Sequence, residues 1–145
     1  MELKLDKDKI IKLSSEIFAA LDRLREISVL PKEAFLADLY KVAAAKYFLV
    51  ISIEAAIDVC NHVISRNKLK VPEDYADTFN VMGEVGAFEK DFVDRLSKMA
   101  RFRNRLVHIY WEVDDELVYS ILGEHIKNME RFTESIMVFL SGKKK

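Results

Sequence analysis

The sequence predicts an all-α fold, an up-and-down bundle of four main helices plus a short extra helix. Two observations carry that prediction. The 145 residues include only four Gly and two Pro, so turns are few and the elements are long. Apolar residues recur at alternating spacings of three and four over most of the chain, which is the period of a helix with one buried face. Half the residues are apolar and 32% are charged, the profile of a globular chain, and the length suits a single domain spanning residues 1–145.

The first helix is expected from about Asp6 to Ser28, with Asp6 or Asp8 as its cap and Ile10, Leu13, Ile17, Leu21, Leu24 and Ile27 or Ser28 as its buried stripe. Pro31 stops it and can open the next helix, expected from about Lys32 to Ser65. Tyr47 to Cys60 is apolar almost all round, so this second helix is the buried, central one. Its exceptions are therefore informative. Glu54, Asp58 and Asn61 fall within an arc of about 60°, with His62 just beyond. Unpaired carboxylates are costly to bury, so this stripe faces a cation or a wet groove. A structural salt bridge to a neighbouring helix would satisfy it equally well.

Arg66 to Asp77 reads as a polar loop entering a short helix, and the stretch Asp74 to Gly86 follows, with Gly83 and Gly86 as stop signals. A further long helix follows from about Ala87 to His108, with Phe92, Leu96, Met99 and Leu106 on its apolar stripe. Arg103 sits in the middle of that stripe and needs an anionic partner, for which Glu54 and Asp58 are the candidates. Of the cations Arg95, Lys98, Arg101, Arg103 and Arg105, the first two read as a solvated face. The others lie close to His108, where they suit a basic groove holding a phosphate backbone. Glu112, Asp114, Asp115 and Glu116 open a last helix, with apolar spacing through Val118, Ile121, Met129, Phe132, Ile136 and Phe139, ended by Gly142 and three lysines.

A net charge of −1 excludes an all-over nucleic-acid footprint, so any such contact is a local patch. The single cysteine, Cys60, excludes an internal disulfide. The charged N-terminus does not resemble a signal peptide, and no uncharged run reaches membrane-spanning length. A cytoplasmic protein without membrane contact is expected. Three histidines and one cysteine show no metal-ligand spacing, and there is neither a G-x-S-x-G elbow nor a glycine-rich phosphate loop. No metal or cofactor is expected.

What remains is the segment Arg103-Asn104-Arg105-Leu106-Val107-His108-Ile109-Tyr110. Arginine offers a permanent, planar cation suited to phosphate oxygens, and histidine moves protons near neutral pH. On a straight helix Arg103 and His108 diverge by about 140°, whereas Asn104 and His108 differ by only about 40°. Either the helix ends near His108 and the chain turns, or two copies meet about a two-fold axis and each contributes residues. Read as residues alone, His108 can equally be a helix cap, and Tyr110 and Trp111 core aromatics.

The R-x4-H-x-Y spacing resembles the signature of HEPN-domain ribonucleases, in particular the HepT toxins of the HepT/MntA type. The stretch from Ile53 to His62 resembles their central helix, and the series Pro72, Tyr75, Phe79, Gly83, Gly86 lies between the two in matching order. The resemblance implies a single HEPN-like domain that forms a homodimer. It implies a metal-independent endoribonuclease toxin of a type VII-like system, acting on RNA and not DNA. Carried onto this chain, His108 would be the general acid or base and Arg103 would hold the phosphate. Asn104 would orient His108 or the RNA, Glu54 and Asp58 would fix the arginine, and Asn61 and Arg105 would support substrate binding. The implied partner is an MntA-like minimal nucleotidyltransferase that adenylylates the motif tyrosine, Tyr110. The rival reading is a non-catalytic helical dimer serving as scaffold or nucleotide-binding subunit for such a nucleotidyltransferase.

Overall fold

A computed structural model describes residues 2–142; the three terminal lysines lie outside the described residues. The elements are α1 (Lys7–Ser28), α2 (Lys32–Leu36), α3 (Leu39–Arg66), α4 (Tyr75–Glu84), α5 (Lys90–His108), a 3₁₀ turn (Tyr110–Glu112) and α6 (Asp115–Ser141). Four long helices form the up-and-down bundle, and α4 is the short extra one. No helix among the described residues is long and apolar enough to cross a membrane.

Aspartate starts most of these helices. The side chains of Asp6, Asp38, Asp74 and Asp114 accept from backbone N–H groups in the first turns of α1, α3, α4 and α6. Each such cap stabilises its helix by about 1 kcal/mol. Asp38 also explains a departure from the sequence expectation. The helix expected from Lys32 to Ser65 is two helices, because Asp38 adopts an extended backbone and caps α3, leaving α2 as a separate five-residue turn. Phe35, fully buried, pins that turn to the core, its ring 5.3 Å from Tyr119 of α6.

The central helix is α3, which packs against every other helix of the bundle. Its buried residues include Leu49, Ile53, Ala56, Ile57, Cys60 and Val63, all close to fully enclosed. The stripe expected for α1 is buried from Ile10 to Ile27, with Ile27 and not Ser28 as its last member. Phe79, Phe88, Phe92 and Phe132 form an aromatic cluster where α4, α5 and α6 meet, with ring centroids 5.5 to 6.4 Å apart. Burying each such ring stabilises the fold by roughly 1.5–3 kcal/mol.

Gly83 is not a stop signal. It lies inside α4, and a Cβ there would stand 2.6 Å from Cγ2 of Val93, so the glycine is what lets α4 approach α5. Gly86, two residues past the helix, is the one with a left-handed backbone, at φ +92°. The expected start of α5 at Ala87 moves to Lys90, with Glu89 as the extended N-cap residue. Gly142 ends α6 in the left-handed conformation, as a C-terminal glycine does.

Candidate functional site

The R-x4-H-x-Y segment straddles the end of α5. His108 is the last residue of the helix, Ile109 breaks it with φ −137° and ψ 42°, and Tyr110 opens the 3₁₀ turn. The segment's two charged residues of interest face different surroundings.

Arg103 is drawn inward. Its Nη2 donates to Oε1 of Glu54 at 3.3 Å and its Nη1 to Oδ1 of Asn104 at 3.0 Å. The guanidinium carbon lies 4.9 Å from the ring centroid of Tyr75, at the start of α4. Arg103 is 12% exposed at its side chain, and its buried Nε finds no acceptor among the described residues. Arg103, Glu54, Asp58, Ile57 and Tyr75 enclose a cavity of about 210 Å³. The Asp58 carboxyl is held above its ordinary pKa, first by burial and next by the charge of Glu54; Lys9 and Arg103 act in the opposite direction. Glu54 thus fixes the guanidinium through its ion pair, and Asp58 lines the same cavity.

Asn104 accepts that bond from Arg103 and makes no hydrogen bond to His108 among the described residues. Asn61 accepts from the Thr78 hydroxyl at 3.4 Å and ties α3 to α4; it does not line this cavity. Tyr75 is the residue that sequence reasoning missed as a wall of the site: 28 positions separate it from Arg103, and no local spacing signals their contact.

His108 is exposed and has no hydrogen-bond or ion-pair partner among the described residues. The other two histidines are engaged in the scaffold. Nε2 of His62 accepts from the backbone N–H of Asp6 at 2.9 Å, fastening the start of α1 to α3. His125 is buried, with Nε2 2.8 Å from the Ser52 hydroxyl, and burial lowers its pKa to about 4. Tyr110 is 57% exposed and Trp111 68%, their rings in edge contact at 5.5 Å, so neither is a core aromatic. Cys60 is fully buried, and burial pushes its thiol pKa up, which removes it as a nucleophile. Among the described residues no group of three His, Cys, Asp or Glu side chains could hold a metal ion.

Arg105 is exposed and lies apart from the Arg103 cavity. Together with Arg95, Lys98 and Arg101 it lines a second, larger cavity of about 510 Å³ between α5 and α6. Arg95 and Lys98, expected as a merely solvated face, belong to the same groove as the cations nearer His108.

The family described as Ribonuclease HepT-like matches residues 17–136. The mRNA nuclease HepT of Shewanella oneidensis is 30% identical over 83 residues, covering 57% of this chain and 62% of the relative, so the match spans under two thirds of that protein. The tRNA nuclease HepT of Aphanizomenon flos-aquae is 23% identical over 122 residues, covering 83% of this chain and 82% of the relative. Among solved structures, the tri-AMPylated HEPN toxin of Shewanella oneidensis in complex with its MNT antitoxin superposes with a TM-score of 0.83 at 25% identity, covering 90% of this chain and 98% of that one. The family match spans most of the chain and the fold agrees with it: the chain belongs to the Ribonuclease HepT-like family.

Proposed function

We propose that this protein is a ribonuclease toxin that cleaves RNA without a metal ion, at a composite site formed by two copies of the chain. The observation that carries the reading is the state of His108. It alone of the three histidines is solvent-facing and uncommitted, and it ends the helix that carries Arg103. A histidine so placed is free to exchange protons with a bound substrate. The relatives named as mRNA and tRNA nucleases support the reaction class.

In the proposed reaction the ribose 2′-oxygen attacks the adjacent phosphorus and the bond from phosphorus to the 5′-oxygen breaks. One basic group takes the 2′-proton and one acidic group supplies a proton to the leaving 5′-oxygen. The products are a 2′,3′-cyclic phosphate and a 5′-hydroxyl. His108 serves as general acid or base. Arg103 holds a non-bridging phosphate oxygen and offsets the charge that grows on it. Glu54, Asp58, Asn104 and Tyr75 position that arginine. Arg103 and His108 lie about 140° apart around α5, so one straight helix does not aim both at one phosphate. A two-fold pairing of α5 ends brings the Arg103 of one protomer to the His108 of the other. Incubation of the purified protein with RNA in EDTA is expected to yield fragments ending in 2′,3′-cyclic phosphate. Cleavage abolished by EDTA, or fragments ending in a 3′-hydroxyl, would contradict the mechanism.

Tyr110 is the proposed point of control. The solved relative is an AMPylated toxin bound to its MNT antitoxin. Here the tyrosine is exposed, two residues past His108, and its hydroxyl makes no hydrogen bond among the described residues. Attack of that hydroxyl on the α-phosphate of ATP, with loss of pyrophosphate, would set an anionic phosphodiester beside His108 and Arg105. That phosphate competes for the charge-assisted contacts the RNA needs. With the partner nucleotidyltransferase, ATP and Mg²⁺, peptide mass spectrometry is expected to find AMP on Tyr110 and a parallel loss of cleavage. Labelling that persists in Tyr110→Phe would refute the assignment.

A further inference from the structure

The groove between α5 and α6 has a chemistry of its own. The two helices both rest on α3 and touch where Asp91 and Phe92 meet Arg131; beyond that contact they leave a cavity of about 510 Å³ floored by Ile53, Met99, Phe102 and Ile121. Its rim carries Arg95, Lys98, Arg101 and Arg105, against a single carboxylate, Glu124. None of the four cations has an ion-pair partner among the described residues, although Arg25, Arg103 and Arg131 all do. On a chain whose net charge is −1, that is a concentrated positive strip over an apolar floor.

The strip leads somewhere. Lys98, Arg101, Arg105 and His108 fall within an arc of roughly 80° on α5, so they form one row along the helix. Arg103 faces away from this row. The groove and His108 thus share a surface, and the turn carrying Tyr110 and Trp111 joins the groove's two walls at the His108 end.

We propose that the α5/α6 groove seats an unpaired stretch of RNA, with its phosphates on Arg101 and Arg105, a base on the apolar floor, and the strand running on to His108. The proposal rests on the ribonuclease reading and deepens it, because it assigns the RNA strand a binding groove outside the R-x4-H-x-Y segment. Three arguments select this occupant. A cavity of this volume is the size that encloses a small ligand, here one or two nucleotides, and not a duplex. Phe102 and Met99 offer a base the apolar surface it loses on unstacking, which is how single strands are held. A second copy of the chain docked groove to groove about a two-fold axis would set like charges against one another, whereas a polyanion complements them.

The test uses the full chain carrying His108→Ala, so that bound RNA is not consumed, and a short fluorescein-labelled oligouridylate as probe. The oligonucleotide is expected to bind in preference both to a duplex of equal length and to free AMP. Adding Arg95→Glu and Arg101→Glu is expected to weaken binding tenfold or more and to flatten the salt dependence, by about 0.7 in log–log slope for each RNA phosphate that the protein no longer neutralises. Oligonucleotide containing 4-thiouridine, cross-linked to the chain without the charge reversals, is expected to label the α5 segment that includes Met99 and Phe102. That arm does not depend on how the substituted chain folds. Unchanged affinity and salt slope, or cross-links confined to other helices, would overturn the proposal. If the charge reversals spare RNA binding but abolish binding of the nucleotidyltransferase, the groove is a protein-docking face and the proposal fails. Cleavage by the otherwise native chain that the reversals leave untouched overturns this inference alone, whereas a native chain that neither binds nor cuts RNA overturns the ribonuclease reading as well.

Discussion

Replacement of His108 by alanine is expected to slow RNA cleavage by about a hundredfold or more, the usual cost of removing one general acid or base. The melting temperature and helical content should stay where they are. His108 is exposed at the last position of α5 and makes no side-chain contact that the fold depends on. The contrast with its neighbours in sequence sharpens the expectation. Arg103→Ala should also abolish activity, but it removes the partner of Glu54 and leaves two carboxylates facing each other across the small cavity. Its effect is therefore part chemical and part structural. A His108→Ala chain that cuts RNA at the native rate would take the general acid–base role away from the motif.

Mild acid is expected to destabilise the fold through His125. This imidazole is buried against Ser52, and burial lowers its pKa from 6.5 to about 4. In the unfolded chain it takes a proton at its ordinary value, so between pH 6.5 and pH 4 the unfolded state binds more protons than the folded one. Stability that is fully present above pH 6.5 is lost as the pH falls through that window. The full shift corresponds to about 3 kcal/mol, which for a chain of this size is on the order of 10 °C in melting temperature. His62, also lowered by burial and by Lys9 and Arg66, acts in the same direction. Asp58 opposes it, since a carboxyl whose pKa is raised in the folded state favours folding as acid is added. Melting curves from pH 7 to pH 4.5 should show the fall in the native chain and a much shallower one in His125→Gln, whose amide can still reach the Ser52 hydroxyl. Parallel curves for the two chains would remove His125 as the cause.

Much of the bundle was legible in the sequence because helical periodicity and aspartate caps are local signals. The stripe from Ile10 to Ile27 and the centrality of Tyr47 to Cys60 follow from residue spacing alone. The pairing of Arg103 with Glu54 was also legible, since a cation on an apolar seam has few ways to be satisfied. Misreadings arose where tertiary context decides. Asp38 interrupts an otherwise continuous helical pattern, and its cap is visible only once the backbone at that residue is known to be extended. Gly83 carries the residue type of a stop signal, but its reason is the approach of Val93. Arg95 and Lys98 look like solvated charges on any helical wheel. Only the separation of α5 from α6 makes them the rim of a groove, and no one-dimensional pattern encodes that separation. His108, Tyr110 and Trp111 admitted both buried and exposed readings until the end of α5 was fixed at His108.

The central claim, that two chains build one site, is tested most directly by mixing two inactive proteins. One carries Arg103→Ala and the other His108→Ala, and the pair is unfolded and refolded together. If Arg103 of one protomer serves His108 of the other, each mixed dimer holds one site with both residues intact and one with neither. Half the dimers formed at random are mixed, so the mixture should recover about a quarter of the native cleavage rate. Each variant refolded alone should remain inactive. A mixture as inactive as its components, although light scattering shows dimers, would mean that both residues act within one chain, and it would contradict the composite site.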